Sequence, residues 1–349
     1  MAVSIYEVAT QANVSIATVS RVLSGARGAR VAPATERRVR EAARHLDYHP
    51  SGVARGLARG RMNTVGLIMY YGNPSVTSDP YLGPCLEGIL ATHKREHQNT
   101  MLFTEGGWDD ARTHLPTYCN GYCDGLLLLT PTTNTPFIEV LTKRDIPFVL
   151  IGDSREEPGV LSVDVDNVGA ARESVAYLIS LGHRRIAAFC GDDLFFSSAQ
   201  RLAGYKRALA DAGLPYDDSL VFPGSYFGSP GSGYENMQTV LSDLAINKVT
   251  AVFCFNDAIA LGAMQALREA KIACPAQMSV IGFDDFAGAK SEPALTTMRQ
   301  PIHEIGERAA ELLINRINGL EAERALLPAQ LMVRGSTAPP PGLYHRVLR

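Results

Sequence analysis

With 349 residues the chain exceeds one ordinary domain, so two or three are expected. Its 46% apolar and 20% charged residues suit a soluble globular protein, and no apolar run reaches the length of a membrane span. The first residues, MAVSIYEVAT, lack a basic segment followed by an apolar stretch, so no secretory signal is read and the cytoplasm is the default. The net charge of −3 hides a sorting: residues 1–62 carry ten arginines and no lysine against Glu7, Glu36, Glu41 and Asp47. That end is basic and the remainder acidic, which predicts a polyanionic partner for the N-terminal segment alone.

Residues 4–47 read as three short helices. In SIYEVATQA, Ile5, Val8 and Ala9 share one face. Asn13 stands where a tight turn needs a left-handed residue, and Ser15 is placed to cap the next helix. In NVSIATVSRVLSG, Val19, Val22 and Leu23 point inward, whereas Ile16, Ala17, Ser20 and Arg21 point outward. Arg21 can reach a guanine edge or a phosphate, and Ile16 and Ala17 can meet a thymine methyl. The third helix, PATERRVREAARHLDYHP, opens with Pro33 and closes before Pro50, with Val39, Ala42, Ala43 and Leu46 at helical spacing. This is the spacing of a helix-turn-helix. A plain three-helix bundle with a surface arginine would share it, and the next segment separates the two. GVARGLARG sets Leu57 among Arg55, Arg59 and Arg61. An apolar wedge flanked by cations is what minor-groove insertion needs, the leucine unstacking a base step while the arginines hold phosphates. The alternative is a linker leucine docked on a neighbouring domain. The glycines predict a helix formed only against DNA.

After Met62 the texture changes. The runs TVGLIMYY, TMLFTEG, GLLLLTP, IPFVLIGD, RRIAAFCGD, TAVFCFND and MSVIGFDD alternate with helical stretches such as NVGAARESVAYLISLG and SAQRLAGYKRALADAG. Unbroken apolar strands between amphipathic helices imply parallel sheets covered on both faces, too many units for one sheet and so two α/β lobes. Ligands of such folds bind at the carboxyl ends of strands. The six cysteines are scattered; Cys119 and Cys123 have no second Cys/His pair at a zinc spacing, so buried or incidental thiols are expected, with no metal and no cofactor. No Walker loop, GxGxxG after the first core strand, GxSxG elbow or HExxH is present, and an enzyme is not expected.

SIYEVATQANVSIATVSRVLSG, ATERRVREAARHLDYHPSGVARGLARGR, TVGLIM, VDVDNVGAARESVAYLISLGHRRIAAFCG, QRLAGYKRAL, AVFCFNDAIALGAMQAL, SVIGFDDF, PALTTMRQPIHEIGERAAELL and LLPAQLMVRGST occur in this order, almost to the end of the chain. Together they closely resemble the LacI/GalR family of bacterial transcriptional regulators. The resemblance implies an all-α three-helix helix-turn-helix headpiece (1–49) and a hinge helix (50–62). These would join a two-lobed, periplasmic-binding-protein-like α/β core (63–337) with parallel sheets flanked by helices, followed by a short tail (338–349). The N-lobe would take about 63–166 and 300–325, the C-lobe about 167–299 and 326–337. It also implies a repressor that binds a palindromic double-stranded operator as a homodimer, and a small effector between the lobes that changes hinge geometry. No membrane partner is expected. On the DNA side the resemblance points to Ser4, Ile5, Tyr6, Ser15, Ile16, Ala17, Thr18, Ser20, Arg21 and Tyr48, with Ala54 and Leu57 in the hinge. On the effector side it points to Arg201, Asn256 with Asp257, Asp284 and Gln300. Such a set suits a sugar: Asp accepts from hydroxyls, Arg donates in a fork, and Asn and Gln do both. One of Asp284 and Asp285 is expected only to shape the turn after its strand, and His183 is expected to be structural.

The chain departs from the family pattern in places. SGARGARVAP is longer than the usual loop and adds Arg27 and Arg30; Asn13 replaces the commoner turn glycine; Gly152 stands where many members have aspartate, which puts Asp153 in doubt as a contact. Tyr70, Tyr71 and Tyr81 lie in an extended segment, either stacking on sugar faces or packing at the lobe edge. Tyr226 or Phe227 would close over the ligand. No leucine heptad follows Thr337, so a dimer rather than a tetramer is expected. A sugar or oligosaccharide is the favoured effector, and a purine would use similar residues. An exported sugar-binding protein and an α/β enzyme are the competing classes, and whether the effector releases or promotes DNA binding stays open.

Overall fold

The computed structural model describes residues 3–24, 31–49, 51–52, 56, 60–69, 79–103, 111–226, 231–243, 248–286 and 290–341. Three helices form the N-terminal unit: α1 (Ile5–Ala12), α2 (Ile16–Ser24) and α3 (Pro33–His45). At the start of α1 the Ser4 N–H and hydroxyl both donate to Glu7 Oε2, at 2.7 and 2.9 Å. Asn13 ends α1 in the left-handed conformation, φ 49°, and the Ser15 hydroxyl accepts from the Thr18 N–H at 3.2 Å. Val8, Val19 and Val39 are fully buried where the three helices meet, with Ala9, Ala12, Ala42 and Ala43 letting them approach. Each buried valine contributes about 1.5–3 kcal/mol.

The rest is built on two six-stranded sheets. In spatial order, the first joins β11 (Ala325–Leu327), β5 (Leu161–Val165), β4 (Phe148–Ile151), β3 (Gly125–Leu129), β1 (Thr64–Met69) and β2 (Asn99–Leu102), all pairs parallel. The second joins β12 (Gln330–Met332), β10 (Thr296–Arg299), β9 (Ser279–Asp284), β8 (Ala251–Cys254), β6 (Ile186–Phe189) and β7 (Val221–Phe222). Only its β10–β12 pair is antiparallel. Helices α4 (Leu82–Arg95), α5 (Ala111–Tyr118), α6 (Pro136–Lys143) and α11 (Ile302–Ile317) flank the first sheet. Helices α7 (Asn167–Ser180), α8 (Phe196–Asp211), α9 (Gly231–Ser242) and α10 (Asp257–Glu269) flank the second. Each sheet therefore buries apolar side chains on both faces, as strands like GLLLL require. The chain crosses between sheets after β5, after β10 and between β11 and β12.

Helices α4 and α11 approach closely because neither has a side chain at the contact. A Cβ on Gly88 would fall 2.0 Å from the His303 carbonyl oxygen, and one on Gly306 would fall 2.1 Å from that of Cys85. Strands β5 and β10 are absent from the apolar runs of the sequence because they bury polar groups: Ser162 and Asp164 in one, Thr296 and Thr297 in the other. Strands β7, β11 and β12, of two or three residues each, sit at sheet edges.

In the hinge, Gly52 and Gly56 are helical. Arg61, read from the sequence as a phosphate-holding cation, instead turns to the core and donates to Asn318 Oδ1 at 2.7 Å. Ala54, Arg55, Leu57 and Arg59 lie outside the described residues, as do Arg27, Arg30, Tyr70, Tyr71 and Phe227. Among the described residues no helix is long and apolar enough to cross a membrane.

Candidate DNA-reading face and effector cleft

Helix α2 buries Val19 and Val22 and turns its other side out. Ile16 is 37% exposed, and Ser15, Ala17 and Arg21 are exposed beside it. Thr18 and Ser20 are half-buried; the Ser15 and Thr18 hydroxyls bond each other at 2.9 Å. On α1, Tyr6 stands 67% exposed, while Ile5 packs partly on the headpiece core and Ser4 is engaged by Glu7. The bonds from Ser4 hold the Glu7 carboxyl below its ordinary range. Tyr48 is half-buried against the same core. Small apolar groups beside a guanidinium on one exposed helix face suit the floor of a major groove.

The second site lies where the carboxyl ends of the two sheets face each other. Arg201, in α8, is only 5% exposed. Its Nε donates to Asn167 Oδ1 at 2.9 Å and its Nη1 to the Phe255 carbonyl. The guanidinium lies 3.7 Å from the Phe283 ring centroid and 5.7 Å from that of Tyr226. Asp284, at the end of β9, brings Oδ1 to 3.8 Å from Arg201 Nη1 and accepts from Gln300 Nε2 at 2.5 Å. Asp285 turns the other way and pairs with Arg299 and Arg334, so of the two acids it is the structural one. Asn256 begins α10, its Oδ1 accepting from the Ile259 N–H at 2.8 Å, and borders the cleft next to the Phe255 carbonyl that Arg201 holds. Asp257 is held by the Thr297 hydroxyl at 2.5 Å and the Phe286 N–H at 2.9 Å, which makes it part of the framework.

The first lobe supplies the facing wall. The Tyr81 hydroxyl is buried with no hydrogen-bond partner among the described residues, and its ring stands edge-on to Phe286 of the second lobe at 6.5 Å. A Cβ at Gly152 would come within 3.3 Å of that hydroxyl, so the missing side chain at 152 leaves the phenol its place. Asp153 is fully buried and is taken by Arg155, whose Nη2 reaches Asp153 Oδ2 at 2.7 Å and the Thr132 carbonyl at 3.0 Å. Arg155 also faces the Phe196 ring of the second lobe at 5.0 Å.

A polar chain spans the cleft floor. Asn167 Nδ2 donates to Asp164 Oδ2 at 2.9 Å and to Gln200 Oε1 at 3.3 Å, and Gln200 Nε2 donates to the Ser154 hydroxyl at 2.7 Å. At the rim the Thr133 N–H donates to the Leu194 carbonyl at 2.7 Å. Tyr226 is fixed by its N–H on Asp192 Oδ2 at 2.9 Å and takes a long bond from the Ser197 hydroxyl at 3.4 Å.

Burial dominates the electrostatics. It pushes Asp164 up to about 7, against the favourable Val165 N–H and the Arg201 charge. It raises Asp284 too, opposed by Arg201 and reinforced by Asp257, and it raises the Tyr81 and Tyr226 hydroxyls. Burial thus favours the protonated forms of these groups, and a protonated carboxyl can donate as well as accept. Asp164, Asn167, Gln200 and Ser154 escaped the sequence reading. The signal was VDVDN, where acids interrupt an otherwise strand-like run.

The headpiece helices fall within residues 4–51, which match bacterial regulatory proteins of the lacI family, and residues 175–337 match a periplasmic binding protein-like domain. The chain is 35% identical over 336 residues to the HTH-type transcriptional regulator CelR of Thermobifida fusca, covering 94% of this chain and 96% of CelR. This chain belongs to the LacI family. It is a DNA-binding transcriptional regulator with a helix-turn-helix headpiece and a periplasmic-binding-protein-like core, and not an enzyme. A second LacI-family relative, catabolite control protein A of Priestia megaterium, is 33% identical over 97% of this chain and 100% of its own length. Among solved LacI-family structures, a complex of the regulator CelR with cellobiose superposes with TM-score 0.73 at 31% identity, over 96% of this chain and 99% of that one. The lac repressor dimer bound to operator and the anti-inducer ONPF gives TM-score 0.79 at 25% identity, over 97% and 100%.

Proposed function

We propose that this LacI-family regulator is a cytoplasmic repressor that binds a palindromic operator as a homodimer and responds to a sugar or oligosaccharide held between its two lobes. The observation that carries the effector reading is the convergence of Arg201, Asp284 and Gln300, with the Tyr226 ring facing the Arg201 guanidinium. Asn256 borders the same space, and the Tyr81 hydroxyl, without a hydrogen-bond partner among the described residues, faces it from the other lobe. Likeness to a regulator solved with cellobiose supports the ligand class.

The proposed division is a headpiece over 1–49, a hinge over 50–62 and a core over 63–337, with 338–349 as tail. In the headpiece Ile16, Ala17, Ser20 and Arg21 read base edges. Ser4, Ile5, Tyr6, Ser15, Thr18 and Tyr48 position the unit on the backbone, and Ala54 and Leu57 enter the minor groove. One headpiece offers few base contacts, so two half-sites supply the specificity. An effector that touches both lobes binds one arrangement of them better than another, and that difference sets its leverage on DNA affinity, typically 1–3 kcal/mol.

The test is fluorescence anisotropy of the full chain on a duplex selected from random sequence, with cellobiose, ribose and hypoxanthine added in turn. The reading expects a palindromic selected site and a change in its affinity with a sugar. A response to hypoxanthine alone would replace the sugar by a purine, and absence of any sequence-selective binding would sink the DNA reading.

A further inference from the structure

We propose that Arg61 is the positioning residue that fastens the DNA-binding hinge to the effector-responsive core, by clasping the carboxyl end of α11. Its Nη1 donates to Asn318 Oδ1 at 2.7 Å and its Nη2 to the Ile317 carbonyl at 2.5 Å. The turn after α11 satisfies the carbonyls of Ile314, Asn315 and Arg316 through the N–H groups of Asn318, Leu320 and Gly319. The Ile317 carbonyl is left for the guanidinium. A cation there also meets the negative end of the helix dipole.

The same residue is bonded to the hinge as well. Its main-chain N–H donates to the Gly56 carbonyl at 3.0 Å, across Gly60 at φ 68°. Gly56 is itself helical, so this bond ties Arg61 to the hinge. Arg61 is thus bonded at once to helical Gly56 of the hinge and to the carboxyl end of a core helix. Immediately downstream, the Met62 and Thr64 N–H groups donate to the Asp124 carboxylate at 2.7 and 3.4 Å, so the chain beyond Arg61 is already part of the core.

Helix α11 connects this clasp to the cleft. It starts two residues after Gln300, whose amide holds Asp284, and its 16 residues span about 24 Å. It is a stiff element: Gly88 and Gly306 bring it against α4 backbone to backbone, and Arg316 near its end pairs with Asp145 at 2.7 Å. A shift of the cleft at one end is carried to the hinge at the other, and Arg61 is the side chain that receives it.

The experiment compares wild type, Arg61→Ala, Asn318→Ala and the double variant by anisotropy on the selected duplex, with and without cellobiose and across a salt series. Its effector arm rests on the sugar reading above. Asn318→Ala keeps the cation and removes its side-chain partner, leaving only the Ile317 carbonyl, so it weakens the clasp without touching a direct phosphate contact. The clasp predicts that both single variants cut the cellobiose-induced change in operator affinity by about tenfold or abolish it. Cellobiose affinity and the salt slope stay at wild-type values, and the double variant is no worse than Arg61→Ala. A salt slope lowered by about one unit in Arg61→Ala, with Asn318→Ala behaving as wild type, makes Arg61 a phosphate contact and overturns the proposal. If no sugar alters operator binding by wild type, the effector reading fails by itself. Sugar-free operator affinity then decides: an equal drop in both variants at unchanged salt slope upholds the clasp, and a wild-type value for Asn318→Ala overturns it.

Discussion

The headpiece buries Val8, Val19 and Val39 and carries Ile16, Ala17 and Arg21 outside, whereas the cleft buries Arg201, Asp284 and Asp164 themselves. In the first region the groups proposed to meet DNA and the groups that hold the fold are different residues on opposite sides of one helix. In the second the proposed effector contacts also hold the fold: Arg201 bonds Asn167 and the Phe255 carbonyl and pairs with Asp284. On the proposed sites, DNA sequence preference can change without disturbing the fold, while a change of effector means rebuilding part of the core.

The strongest way to break that contrast is Arg201→Ala. It strips partners from Asn167 and Asp284 in a buried network, so a stability loss of about 3 kcal/mol is expected together with loss of the effector response. Urea unfolding and anisotropy measure the two, and a variant that unfolds like wild type would show that Arg201 serves the ligand alone. Next comes Arg21→Ala, expected to weaken operator binding by about 2 kcal/mol while leaving the urea midpoint within about 0.5 kcal/mol of wild type. A large stability loss there would make the reading face structural after all.

The acid–base contrast is smaller. Burial raises Asp164 to about 7 and raises Asp284 as well, above the roughly 3.9 of an unfolded chain. Between those values the folded core keeps protons that the unfolded chain has released, so stability is fullest at the acid end and falls as pH rises toward 8. The core melting temperature should drop by several degrees from pH 5 to pH 8, and Asp284→Asn should flatten the fall. An identical slope in the variant would clear Asp284 of causing it. The smallest effect is Asn13→Ala, expected to cost about 1 kcal/mol because alanine fits the left-handed turn less well. Melting of the isolated operator-bound headpiece signal checks it, and a neutral result would mean that the turn relaxes.

The same contrast explains what was legible beforehand. Helix α2 was readable because its signals are local: valines at helical spacing, a turn residue at Asn13, a cap at Ser15. Strands such as GLLLL were readable because both faces are apolar. Strands β5 and β10 were not, because Asp164, Thr296 and Thr297 are made tolerable only by partners elsewhere in the chain; Thr297, for one, serves Asp257 from 40 residues away. Arg201, Asp284 and Gln300 were named through family resemblance, while Asn167 and Gln200, 33 residues apart, emerged only from the fold. Arg61 shows the limit of counting charges. A tally places it with the DNA-binding arginines, yet its partner Asn318 lies 257 positions downstream.

The three crossings between the sheets have a mechanical consequence. They leave from β5, from its neighbour β11, and from β10, the neighbour of β12, so they run side by side along matching sheet edges. One strap would let a lobe swivel freely. Three abreast resist twisting and sliding and leave bending about the line they define, so whatever occupies the cleft acts on a joint with a single easy axis.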